Sequence, residues 1–223
     1  MKLANPQWVN TIQWDACHPA ELCLENPDEY RLIVEDITLQ SAGENGDLVF
    51  SDDNHILSLV KDSISIRDLW SVDLNQKKIL TGVYKQLSML SYEEYYGETM
   101  ELLGMMGNLL ERLRQDSMQS LEWDVPVELN PILKAFGVRL ESSENLFERL
   151  VDYIRLCHEF LHIRLAILVG VRSFLPDADC NHLCRDIAAT GVSVLFVEPY
   201  CRSILENGVR LTIDQDHCEL LQS

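Results

Sequence analysis

The stretch Arg164–Pro199, RLAILVGVRSFLPDADCNHLCRDIAATGVSVLFVEP, decides the fold. It opens on a continuous apolar run, Arg164–Val171, and closes on a second, VSVLFVEP, rich in β-branched residues. Between them PDADCNHLCRDIAAT carries acidic residues in the first turn of a short helix. The unit is strand-helix-strand. Strands apolar on both faces imply a parallel sheet covered by helices on both sides, with a right-handed crossover. Gly191 falls where the helix must end in a residue tolerant of positive φ. The second run stops on Glu198-Pro199, a carboxylate at a strand tip, where an α/β nucleotide hydrolase would place metal and water.

Upstream the texture changes twice. Residues 20–68 read as short strands, ELCLEN, YRLIVEDI, DLVFSDD, HILSLVK and SISIRDL, with turn signals at Asn26-Pro27 and in SAGENGD. From Asn75 the apolar residues recur at helical spacing: Ile79, Leu80, Val83, Leu87 and Leu90, then Leu102, Leu103, Met106, Leu109, Leu110 and Leu113. This predicts two long helices separated near Ser91–Gly97. An acidic interval, SLEWDVPVELNP, leads to a short helix ending at Gly137, and SENLFERLVDYIRLCHEFLH forms another. The expected architecture is an α/β core from residues 1–70 and 141–223 with a helical domain, 71–140, inserted between them.

The chain has 223 residues, 47% of them hydrophobic, with 10 Gly and 7 Pro, enough to bury a sizeable core. No apolar run approaches the roughly 18 residues of a membrane helix, and MKLANPQWVNTIQWD lacks a signal-peptide core, which predicts a cytoplasmic protein with no membrane partner. Seven cysteines at irregular spacing predict reduced thiols. The formal charge of −18 repels nucleic acid on average and by itself favours a protein partner or a metal.

Catalytic signatures are weak. A phosphate-binding loop needs GxxxxGK[ST], because backbone N–H groups cradle the phosphates while the lysine and hydroxyl serve the terminal phosphate and Mg²⁺. The chain has no Gly-Lys dipeptide, and Gly43–Gly46 and Gly104–Gly107 are too short. Glu198 is then a structural strand-end carboxylate. Cys180, His182 and Cys184 alternate at i, i+2 on a helix and cannot converge on one ion. His158-Glu159-Phe160-Leu161-His162 has the HExxH spacing of zinc hydrolases, yet runs directly into a buried strand and reads better as packing histidines. In Leu121–Val125 an extended backbone places Glu122 and Asp124 on one face. Two such carboxylates can share Ca²⁺ in a site completed by Glu128, backbone carbonyls or a neighbouring subunit. From spacing alone a solvated acidic edge is the simpler reading.

Four stretches carry a further likeness: VDLNQKKIL (72–80), LEWD (121–124), ILKAFGVRLES (132–142) and GVSVLFVEP (191–199), the last preceded by AILVGVRSFL. In this order the chain resembles the type II-A CRISPR spacer-acquisition accessory proteins. The resemblance implies a P-loop-ATPase-like core sheet lacking the phosphate loop, and no enzymatic activity. It further implies a homotetrameric ring that threads the ends of double-stranded DNA and works with the integrase pair and the effector nuclease, with calcium as the bound ion. Glu122 and Asp124 match the family's acidic calcium segment, while Ser120 and Val125 stand where relatives carry acidic residues. Lys134 and Arg139 match basic positions, and Lys61 is the lysine left in HILSLVK. Two other classes stay open: a protein-interaction scaffold with an acidic surface, and a metal-dependent hydrolase using the HEFLH helix.

Overall fold

In the computed structural model, which describes residues 1–53, 55–117, 119–124 and 129–222, the deciding stretch forms β7 (Leu165–Val169), α7 (Asp177–Ala188) and β8 (Ser193–Glu198). Strands β7 and β8 pair in parallel, Leu165 opposite Ser193 and Val169 opposite Val197, and every residue of both is buried. Gly191 has φ 81°, the left-handed turn from α7 into β8 that a Cβ would strain. The protein is mixed α/β.

The described residues divide into two compact units, one made of Met1–Leu74 and Ser142–Ser223, the other of Asn75–Glu141. In the first, a six-stranded sheet runs in the order β10-β9-β3-β8-β7-β6, with β3 at Ala20–Leu24, β6 at Ser63–Ile66, β9 at Val209–Ile213 and β10 at Glu219–Gln222. Five strands are parallel and β10 is an antiparallel edge. A four-stranded antiparallel sheet, β2-β1-β4-β5, is built from β1 (Lys2–Ala4), β2 (Ile12–Gln13), β4 (Val49–Asp52) and β5 (His55–Ile56). Leu3, Ile12 and Phe50 from it join Leu22, Leu24, Ile167, Leu195 and Val197 in one apolar core, completed by Ile33 and Ile37 of α1 (Pro27–Ala42). Burying side chains of this size stabilises by about 1.5–3 kcal/mol each. On the opposite face α7 packs on β8 and on α6 (Leu146–Leu161), whose Leu150, Ile154 and Cys157 are buried.

Two expected strands are helical. YRLIVEDI lies inside α1, because Asn26 caps the helix by accepting the N–H groups of Asp28 and Glu29, Pro27 takes the first turn, and Gly43 closes it at φ 94°. The apolar residues are used at i, i+4, with Ile33 and Ile37 buried while Leu32 stays 55% exposed. HILSLVK divides at Leu57-Ser58 into the end of β5 and the helical turn α2 (Leu59–Asp62). Strands β1, β2, β9 and β10 were not legible: segments of two to five residues give too few positions for a period to show.

In the second unit α3 (Lys77–Glu93) and α4 (Tyr96–Asp116) break at Glu94-Tyr95, and α5 (Asn130–Ala135) packs on α3. Its closing contacts are polar: Tyr84 donates to the Val138 carbonyl (2.7 Å), and Asn75 exchanges two hydrogen bonds with the Leu140 backbone (2.8 and 3.1 Å). Along α4, Leu102, Met105, Met106, Leu109, Leu110 and Leu113 are 36–58% exposed. The helical period is present, but much of its apolar stripe is uncovered.

Candidate functional site

Strand β3 lies inside the parallel sheet, and the turn after it is where an α/β protein of this kind receives a polyphosphate, on the free N–H groups of the following helix. Here the turn is two residues, Glu25-Asn26. The Asn26 side chain occupies the N–H groups of Asp28 (3.0 Å) and Glu29 (3.4 Å), and those two carboxylates bring negative charge to the helix start. A phosphate would meet no cradle there and two like charges.

Glu198 closes the neighbouring strand and is 2% exposed. It accepts the backbone N–H of Arg172 (2.9 Å) and so fastens the 3₁₀ turn Val171–Ser173 that follows β7. Burial pushes its carboxyl up to about 7, against the opposing pull of that N–H and the Arg172 charge. Its geometry is that of a turn anchor.

Beside it lies a buried charge network that sequence reasoning missed. Glu21, on β3, is fully buried and accepts from Arg172 Nη1 (2.8 Å), from Arg210 Nε (2.8 Å) and Nη2 (2.5 Å), and from the Leu205 N–H (2.9 Å). Arg172 reaches Asp177 (2.7 Å), and the Ser203 carbonyl accepts from both arginines (2.8 and 3.0 Å). Asp177 also takes the Ser203 hydroxyl; that bond and the Arg172 guanidinium hold its carboxyl low. Two cations and two carboxylates are balanced, so the network ties β3, β9, the turn after β7 and the loop after β8 together. The available signal was a charged residue inside an apolar strand, in AELCL and in VRLTI.

The zinc-like patterns come apart. Cys180 and Cys184 are buried on one face of α7 while His182 is exposed, and burial pushes the two thiols up to about 11 and about 12. His158 bonds through Nδ1 to the Ile163 carbonyl (2.8 Å), and His162 has left the helix at φ 59°. The i, i+4 face that the HEFLH pattern needs is therefore not kept. No group of three or more His, Cys, Asp or Glu side chains positioned for a metal occurs among the described residues.

Glu122 and Asp124 are both exposed and line an open cavity of about 480 Å³ with Glu111, Arg114, Leu121 and Trp123. Arg114 bonds Glu111 (2.7 Å) and lies 5.9 Å from the centre of the Trp123 ring, which holds the acidic segment beside the last turn of α4. The Arg114 hydrogen bond keeps the Glu111 carboxyl below its ordinary range. Glu122 and Asp124 are the two carboxylates open to a hard cation, while Glu111, the third in the lining, is held by Arg114, and among the described residues the three are not positioned around one ion; Glu128 lies outside the described residues. Lys61 is exposed on α2 in the first unit, and Lys134 and Arg139 are exposed on either side of Gly137 in the second. Among the described residues no helix is long and apolar enough to cross a membrane.

Fold and site together define a mixed α/β protein with a largely parallel central sheet, whose β3–α1 turn is closed by its own helix cap and acidic first turn. A family model described as CRISPR-associated protein (Cas_Csn2) matches residues 40–217. CRISPR-associated protein Csn2 of Streptococcus agalactiae is 24% identical over 185 residues, 80% of either chain. The chain belongs to the Csn2 family of CRISPR-associated proteins, as the four quoted stretches suggested. Membership places it in CRISPR adaptation, in antiviral defence, as an accessory protein.

Proposed function

We propose that the chain binds double-stranded DNA ends without reading sequence and without chemistry of its own, as a homotetrameric ring acting beside the integrase pair and the effector nuclease. The observation that carries the non-catalytic part is the self-capped β3–α1 turn, with Asn26 on the helix N–H groups and Asp28 and Glu29 where a phosphate would sit. In this reading the six-stranded sheet is an ATPase-like core without its phosphate loop, and the helices of the second unit are a domain inserted into it.

The uncovered stripe on α4 supports self-association, since a monomer rarely leaves so many large apolar side chains in one row to water. Glu122 and Asp124 fit as two calcium ligands, with Glu128 as the third protein carboxylate; bound there, the ion would neutralise close like charges at the foot of α4. Lys61, Lys134 and Arg139, all exposed, are the residues assigned to phosphate contact. Such contacts give binding that is sequence-independent and falls steeply with salt, by about 0.9 in log–log slope per phosphate neutralised. Titrating linear duplexes of unrelated sequence at several salt concentrations tests this. One common affinity and a steep common slope are expected; an affinity that follows sequence and ignores salt contradicts it.

A further inference from the structure

The loop between β8 and β9 carries one thiol, Cys201, to the sheet face that holds another, Cys23 of β3. After Glu198 the chain turns at Pro199 and runs back over the ends of β3 and β9, pinned by the Ser203 carbonyl on both buried arginines and by the Leu205 N–H on Glu21. These pins fix Cys201 over the sheet, its Sγ 3.2 Å from Thr212 Oγ1. Thr212 is the register partner of Cys23 across β3 and β9, so those two side chains stand side by side on one face of the sheet, the face on which Cys201 meets Thr212. Of the two thiols, Cys201 is exposed and Cys23 is 1% exposed. Burial pushes the Cys23 thiol up, and with Cys201 exposed and Cys23 buried the exposed sulfur is the one an oxidant meets first.

We propose that Cys201 and Cys23 form a reversible oxidation site, in which a peroxide oxidises Cys201 and Cys23 resolves it to a disulfide. The Cys201 thiolate attacks one peroxide oxygen, the O–O bond breaks, and the leaving oxygen departs with a proton as water or alcohol, which leaves a sulfenic acid. The Cys23 sulfur then attacks the Cys201 sulfur, the S–O bond breaks, and the hydroxyl leaves as water with the Cys23 proton. Two thiols lose two electrons and the peroxide takes both. The pairing follows the usual arrangement of an accessible sulfur beside a resolving one, and dithiol exchange reverses it. The bridge would tether the loop that carries Ser203 and Leu205 to the strand that carries Glu21.

The test treats the folded full-length chain with hydrogen peroxide, blocks remaining thiols with an alkylating agent under denaturing conditions, and maps the peptides by mass spectrometry with and without a dithiol. A Cys23–Cys201 linked pair that the dithiol releases is expected. Cys201→Ser, a change at an exposed position, should leave Cys23 free to alkylate after peroxide, while Cys218→Ser should leave the linked pair intact. Cys23 still alkylating in the oxidised wild type overturns the proposal, whether Cys201 has stopped at sulfinic acid, remained reduced, or joined Cys17, Cys218 or a second chain.

Discussion

Glu198 and Glu21 are buried carboxylates on adjacent strands, and their partners give them different roles. Glu198 has one backbone N–H, and burial leaves its carboxyl at about 7 against an ordinary 4.5. Between those values the folded chain binds more protons at this site than the unfolded one, so its contribution to stability is present below pH 4.5, falls as pH rises through 7, and is flat above. The gap corresponds to roughly 3 kcal/mol. Glu198→Gln keeps an acceptor for the Arg172 N–H and removes the titration. Denaturant unfolding should therefore find the variant more stable than the parent at pH 8 and nearly equal to it at pH 4.5, with DNA binding unchanged; a parent-like fall in the variant would assign the slope elsewhere.

Glu21 answers two guanidinium groups. Glu21→Ala strands both in the interior and should cost about 3–5 kcal/mol in urea unfolding, whereas Arg210→Met made on Glu21→Leu should cost much less than Arg210→Met alone. Additive costs would show that the two side chains do not act as one unit. This network was not readable from the chain, because the partners of Glu21 are 151 and 189 residues away and only the β3–β9 register sets Glu21 opposite Arg210. What could be read was local. Both runs of the deciding stretch are strands, Gly191 has positive φ, and the helical period from Asn75 marks α3 and α4.

At the scale of elements, reading failed where a cap outweighed side-chain preference. The β-branched content of YRLIVEDI points to a strand, but Asn26, Pro27 and Gly43 bracket a helix whose buried positions are i and i+4. That same cap takes up the N–H groups a phosphate would need, so the misread segment carries the non-catalytic argument. The acidic segment after α4 was legible as a pair of carboxylates, and the cavity places Glu122 and Asp124 together with Glu111 beside Arg114. If calcium sits there, chelation leaves like charges facing one another and loosens the assembly. Native mass measurement should show the wild-type tetramer giving way to smaller species on chelation, and the Glu122→Ala, Asp124→Ala double mutant unchanged by the same treatment. A double mutant that still responds fully would put the ion at other residues, and an indifferent wild type would make the segment a solvated acidic edge.

For the whole molecule, charge is the main obstacle to binding DNA. In the proposed ring four copies of −18 would carry about −72, so long-range attraction would be unfavourable and contact would have to come from local lysines and arginines at short range. A ring threaded over an end, as proposed, would tolerate this, because its retention would be topological and would not rest on the summed field. The covered apolar stripe of α4 and the neutralised acidic segments would both follow from assembly. The most direct measurement compares one closed circular duplex with the same duplex cut once, at matched concentration and salt with calcium present. Binding to the cut form about tenfold or more tighter, together with loss of binding when both ends are blocked by bulky caps beforehand, is the predicted result; equal affinity for the closed circle and the cut form would contradict the account.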